Sequence, residues 1–76
     1  MKTYAVTEKT IYKASNENGY CLFVVNSIDE DSSVRLTCLF TSVENGYLGE
    51  IRTTAEEISK SDLNIELASP LELELL

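Results

Sequence analysis

Two stretches of the chain concentrate β-branched, aromatic and other apolar residues: Tyr20, Cys21, Leu22, Phe23, Val24, Val25, and then Val34, Leu36, Cys38, Leu39, Phe40. Both read as strands. The tetrapeptide Glu-Asn-Gly-Tyr occurs at 17–20 and again at 44–47. Asn-Gly between β-prone segments signals a hairpin, because both residues tolerate the positive φ of a type I′ turn. Two tight hairpins are therefore expected, with Asn18-Gly19 and Asn45-Gly46 at their tips. Counting outward sets Ala14 opposite Phe23, Tyr12 opposite Val25, Val43 opposite Leu48 and Phe40 opposite Ile51.

The polar link at 26–33 joins the two apolar stretches into a third hairpin. With Val25 opposite Val34, Phe23 meets Leu36 and Cys21 meets Cys38. One face then carries Tyr12, Ala14, Cys21, Phe23, Val25, Val34, Leu36, Cys38, Phe40 and Ile51 as the core. A competing register pairs Leu22 with Cys38 and Val24 with Leu36, which exchanges the faces of strand 20–26.

The ends follow other patterns. Residues 2–6 read as a short strand, set apart from 10–14 by the polar Thr7-Glu8-Lys9. Thr53-Thr54-Ala55-Glu56-Glu57-Ile58 offers the capping-box spacing twice, so a helix is predicted near 54–60, with Ala55 and Ile58 inward. Leu63, Ile65 and Leu67 alternate with polar or small residues as a half-buried strand does, and Pro70 ends it. Residues 71–76 alternate again, Leu-Glu-Leu-Glu-Leu-Leu, and read as a terminal edge strand or a frayed tail.

These elements give a mainly β (α+β) fold in one small domain over 1–76: an antiparallel meander or SH3-like barrel of about five to six strands with one short helix. Strands in meander order with a helical turn before the last one resemble small SH3-like barrels. The resemblance rests on element order alone and implies a fold, not a function. On the outward face, Leu39, Val43 and Leu48 are exposed unless a helix or the N-terminal strand covers them.

At 76 residues the chain has room for one thin core and little to spare for a strained active site. Its charge narrows the picture further. Thirteen Asp and Glu against six Lys and Arg give −7, the reverse of the footprint that nucleic-acid phosphates attract. The acid is concentrated toward the C-terminal end: residues 1–25 sum to +1, 26–55 to −3 and 56–76 to −5. A charge-steered partner would be basic and would meet the Asp29, Glu30, Asp31 loop or the C-terminal third, with Glu66, Glu72 and Glu74 as contacts.

Catalytic chemistry finds few candidates. The chain has no His, the residue most used for proton transfer near neutral pH and for holding transition metals. Asp29, Glu30 and Asp31 lack the spacing of a calcium loop. Glu56 and Glu57 are adjacent on a helix, about 100° apart, and capping accounts for them. Cys21 and Cys38 fall outside any CxxC spacing and read as buried strand thiols, paired as a disulfide only if the chain is exported. Gly49 marks a bulge or a close backbone approach.

No catalytic set, cofactor or metal site is expected, and no membrane span or signal peptide. The function that fits is a small, cytoplasmic, non-enzymatic binding module for a protein partner. A specific form is an inhibitor or regulator that mimics nucleic-acid charge, of the phage or mobile-element accessory type. The alternative is a structural or assembly protein that self-associates through edge strands.

Overall fold

A computed structural model describes residues 6–76; of the strand expected at 2–6, all but Val6 lies outside the described residues. Five antiparallel strands form one open sheet: β1 (Ile11–Asn16), β2 (Gly19–Ile28), β3 (Ser33–Thr41), β4 (Gly49–Thr54) and β5 (Asn64–Leu67). Their order is β4-β3-β2-β1-β5. A six-residue helix, α1 (Ala55–Lys60), links β4 to β5, and a single turn, α2 (Pro70–Leu73), follows. The expected mainly β meander is what forms. Its end strands β4 and β5 do not pair with each other, so the sheet stays open.

The first Glu-Asn-Gly-Tyr makes a two-residue turn, as expected, but one residue earlier in the chain. Asn16 pairs with Gly19, leaving Glu17 and Asn18 at the tip. Asn16 Oδ1 accepts from the Asn18 amide at 2.8 Å, and Gly19 takes φ +145° beside the Ser42 side chain. Asn at the first and Gly at the fourth position are type I preferences. The register moves by two residues, setting Tyr12 opposite Phe23 and Ala14 opposite Cys21, and every face is preserved. At the second copy, the Gly46 amide donates to the Val43 carbonyl and Asn45 sits at φ +63°. Here the strands do not close on the turn. β4 begins at Gly49, which pairs with Cys38, and Ile51 meets Leu36 instead of Phe40.

Neither register expected for the central hairpin occurs. Val25 faces Leu36 and Phe23 faces Cys38, and the register shifts on both sides of this stretch. One shift, between Leu22 and Phe23, places Phe40 opposite Leu22, so Phe40 leaves the expected core face and its ring meets Tyr20 at 5.7 Å. The other leaves Asn26 without a Cα partner, its amide donating to Thr37 Oγ1 at 2.7 Å. An extra residue in one strand reverses the facing of all that follows it.

Seven of the ten expected core positions are buried: Tyr12, Ala14, Phe23, Val25, Val34, Leu36 and Cys38. Tyr12 can be buried because its hydroxyl accepts from the Thr7 amide at 2.7 Å. Cys21 is half-buried against this cluster, and Ile58, Leu63 and Ile65 also pack on it. Ala55 and Leu67, both expected inward, are exposed. Leu22, fully buried, belongs to the opposite face with its partner Lys13.

The chain's end reaches that face unexpectedly, Glu72 pairing with Lys13. Residues 71–76 form neither strand nor pairing; Pro70–Leu73 is helical, with Pro at its first turn. Ser69 Oγ accepts from the Glu72 amide at 3.2 Å, and Glu72 Oε1 accepts from the Ser69 amide at 2.9 Å. This capping box stabilises a helical start that the apolar-acidic alternation would otherwise oppose.

Candidate functional site

The curled sheet has a concave side, and α1 and β5 leave it incompletely filled. Thr54 starts the helix by accepting from the Glu57 amide at 3.1 Å. The Glu57 carboxylate does not close the capping box; it accepts from the Thr53 hydroxyl at 3.2 Å. Ile58 is thereby held against the core, and β5 brings Ile65 opposite Ala14. Between them lies an apolar cavity of about 270 Å³, lined by Phe23, Leu36, Ile51, Ile58 and Ile65 with Glu57 at its rim. A second apolar hollow shares Ala14, Cys21, Cys38, Ile51 and Leu63 with it and runs on to Val43 and Tyr47. The two make one trough.

Cys21 and Cys38 stand thiol to thiol on its floor. Their strand partners are Thr41 and Phe23, so they are diagonal neighbours rather than the directly opposed pair expected. Burial first, and the neighbouring Cys38 second, push the Cys21 thiol up to about 11. A thiol so raised is a poor nucleophile at neutral pH.

The six carboxylates singled out in the sequence do not form one patch. Asp29, Glu30 and Asp31 are exposed on the β2–β3 loop. Hydrogen bonds from the Ser33 side chain and amide hold Asp31 below the usual carboxylate range. Asp29 and Asp31 share a polar hollow with Arg35 and Arg52, which face each other across β3 and β4, so the local charge is mixed. Glu66 stands opposite Lys13. Glu72 bonds the Lys13 ammonium at 2.9 Å; the Ser69 amide first, and Lys13 second, hold its carboxyl below the usual range. Glu74 caps the exposed end of α2. Glu66 and Glu72 are thus brought together, but around a cation of the same chain.

Sequence reasoning missed another acidic place. Glu17 and Asp62, with Asn16 and Asn18, line a hollow that contains no Lys or Arg. It exists because β1 pairs with β5, Ser15 meeting Asn64, and this draws the β1–β2 turn to the α1–β5 link. The two carboxylates are 45 positions apart in sequence, so only the pairing reveals them. This hollow adjoins the turn end of the trough through Asn16, while Glu57, at the helix end, also lines the hollow that holds Arg35 and Arg52.

No family model, curated protein or solved structure matches the chain. Among the described residues no helix is long and apolar enough to cross a membrane, and no three metal-ligating side chains converge.

Proposed function

We propose that the protein is a small non-enzymatic binding module that docks on a protein partner with a basic surface, through its concave trough. The observation that carries the reading is an apolar trough lined by no cation, with Glu57 at one end, beside Arg35 and Arg52, and the acidic hollow of Glu17 and Asp62 beyond Asn16 at the other. An apolar centre inside a charged rim is the anatomy of a specific protein interface. The net charge of −7 adds long-range steering. In this reading the protein acts in the cytoplasm as an inhibitor or regulator, with Cys21 and Cys38 reduced. Mimicry of nucleic-acid charge, in the manner of a phage accessory protein, has less support, since Asp29, Asp31, Glu66 and Glu72 lie beside Arg35, Arg52 or Lys13.

Solution mass and partner capture at low and at physiological salt test the reading. Capture of a basic protein that weakens with salt is the expected result. Glu57→Lys with Asp62→Lys should abolish it, and Asp29→Lys with Asp31→Lys should weaken it less. Salt-insensitive capture would overturn the reading. Self-association is a second reading, favoured by the edges of β4 and β5, which pair with nothing among the described residues; a salt-insensitive oligomer with no other partner would establish it.

A further inference from the structure

The trough carries reactive chemistry of its own in its two free thiols. Cys21 and Cys38 line both of its hollows, so each can be reached by a small ion although Cys38 is buried. The register sets Cys38 opposite Phe23 and Cys21 opposite Thr41, with the bulge between Leu22 and Phe23 separating them. Diagonal neighbours on paired strands hold their β-carbons about 7 Å apart, whereas a disulfide needs about 3.5–4.5 Å. The pair is too widely set for a direct bond. With one metal atom interposed, at metal–sulfur lengths of about 2.3 Å, two cysteine side chains reach across such a gap.

The donors select the ion. Thiolate sulfur favours soft ions, Cu(I) among them. Structural zinc takes four ligands, but the chain has no His, and among the described residues no three metal-ligating side chains converge. Cu(I) is satisfied by two thiolates in line. The surrounding Phe23, Leu36 and Ile51 offer no oxygen that a hard cation would take. Ala14 faces Cys21 across β1 and β2, and its amide favours the Cys21 thiolate, as hydrogen bonds to a ligating atom do.

We propose that Cys21 and Cys38 form a two-coordinate site for a soft monovalent cation, Cu(I), held between their sulfurs on the floor of the trough. Binding forms two copper–sulfur bonds, breaks two S–H bonds and releases two protons to solvent. No electron is transferred, and the site is left with a single negative charge. Burial pushes the Cys21 thiol up to about 11, so only an ion that bonds sulfur strongly displaces its proton. The site does not depend on the basic-partner reading above.

The reduced, intact protein is titrated with Cu(I) under anaerobic conditions, in competition with a coloured Cu(I) chelator. One ion should bind per chain, with two protons released per ion and two sulfur neighbours, and no third ligand, by X-ray absorption. Cys21→Ser and Cys38→Ser should each weaken binding about 100-fold or more, since loss of even an outer partner costs about 10–100-fold. Amide spectra report whether each variant folds. Ag(I), of the same charge, should bind with the same stoichiometry, and an equal concentration of Zn(II) should not displace it. Cu(I) should also raise the urea midpoint, because the unfolded chain does not hold the two thiols at a fixed spacing.

An unchanged midpoint would mean that the unfolded chain binds the ion as well, and would overturn a site built by the fold. A third sulfur neighbour would assign the ion to a cluster between chains, and full affinity in either serine variant would place it elsewhere; both overturn the inference. Complete disulfide formation with glutathione disulfide, leaving the β2 and β3 amides unmoved, would show that the sulfurs already stand at bonding distance, and it too would overturn the bridged site. If a serine variant fails to fold, the proton count and X-ray absorption of the unaltered chain still decide.

Discussion

The two faces of the sheet are finished in different ways. The concave face gathers Tyr12, Phe23, Val25, Val34 and Leu36 into one cluster, yet ends in an apolar trough with Ile51 still 37% exposed. The convex face buries Leu22 completely, beside the paired rings of Tyr20 and Phe40, with Lys13 5.0 Å above the Tyr20 ring and held by Glu72. One face has ample apolar surface and an incomplete cover. The other carries Tyr20, Leu22 and Phe40, with the Lys13–Glu72 ion pair beside them. In a chain this short, surplus apolar surface left accessible is costly unless something covers it, so the concave face is where a partner gains most.

The largest test of this contrast is Leu22→Ala against Ile51→Ala. Leu22→Ala should cost about 2–5 kcal/mol in urea unfolding, and Ile51→Ala below about 1 kcal/mol because less surface returns to water. Equal losses would mean that the trough is core like any other.

Next in size is the end of the chain. Ser69→Ala removes the cap of α2 and should cost about 1 kcal/mol, with faster amide exchange at Leu22 and none at Val25. Faster exchange at both would show that α2 supports the whole sheet.

The Lys13–Glu72 pair also predicts a pH window. Glu72 is held below its ordinary value of 4.5, so its contribution is present above that value and is lost as pH falls through the depressed one. Lys13 is raised above 10.5, chiefly by its bond to Glu72, so its contribution is present below 10.5 and is lost as pH rises through the raised one. The difference in stability between the protein and Glu72→Gln should be flat between these limits and shrink outside them. A difference unchanged into strong acid would deny the carboxylate its role.

The smallest effect leaves stability untouched. With its thiol pushed up to about 11 from an ordinary 9.0, Cys21 should be alkylated roughly 100-fold more slowly than an exposed thiol at neutral pH. Reaction at the ordinary rate, followed by mass, would mean that the trough floor is wet.

Much of the fold was legible because its signals are local. Asn-Gly dipeptides and apolar runs gave the meander, and Thr54 with Glu57 gave α1. Faces survived register errors of two and four residues, since an even slip returns each side chain to its side. Phe40 was misplaced because a bulge carries no signature in its own residues. Ser69, Pro70 and Glu72 did carry one, a capping box with Pro at the first position, and the alternation of 71–76 masked it. Of the site, the acidic residues were visible and their neighbours were not: nothing near Asp29 or Glu72 in sequence points to Arg52 or Lys13.

Sequence alone therefore determined the antiparallel β class, the position of α1, most of the concave core and the excess of acid, all of which follow from residue type at short spacing. Only the tertiary structure decided which acids are neutralised within the chain, that Glu17 and Asp62 converge, that Glu72 of α2 reaches Lys13 and that an apolar trough stays open beside β4. These depend on the β1–β5 pairing and on two bulges, where contacts between distant residues, rather than local preference, set the lowest free energy.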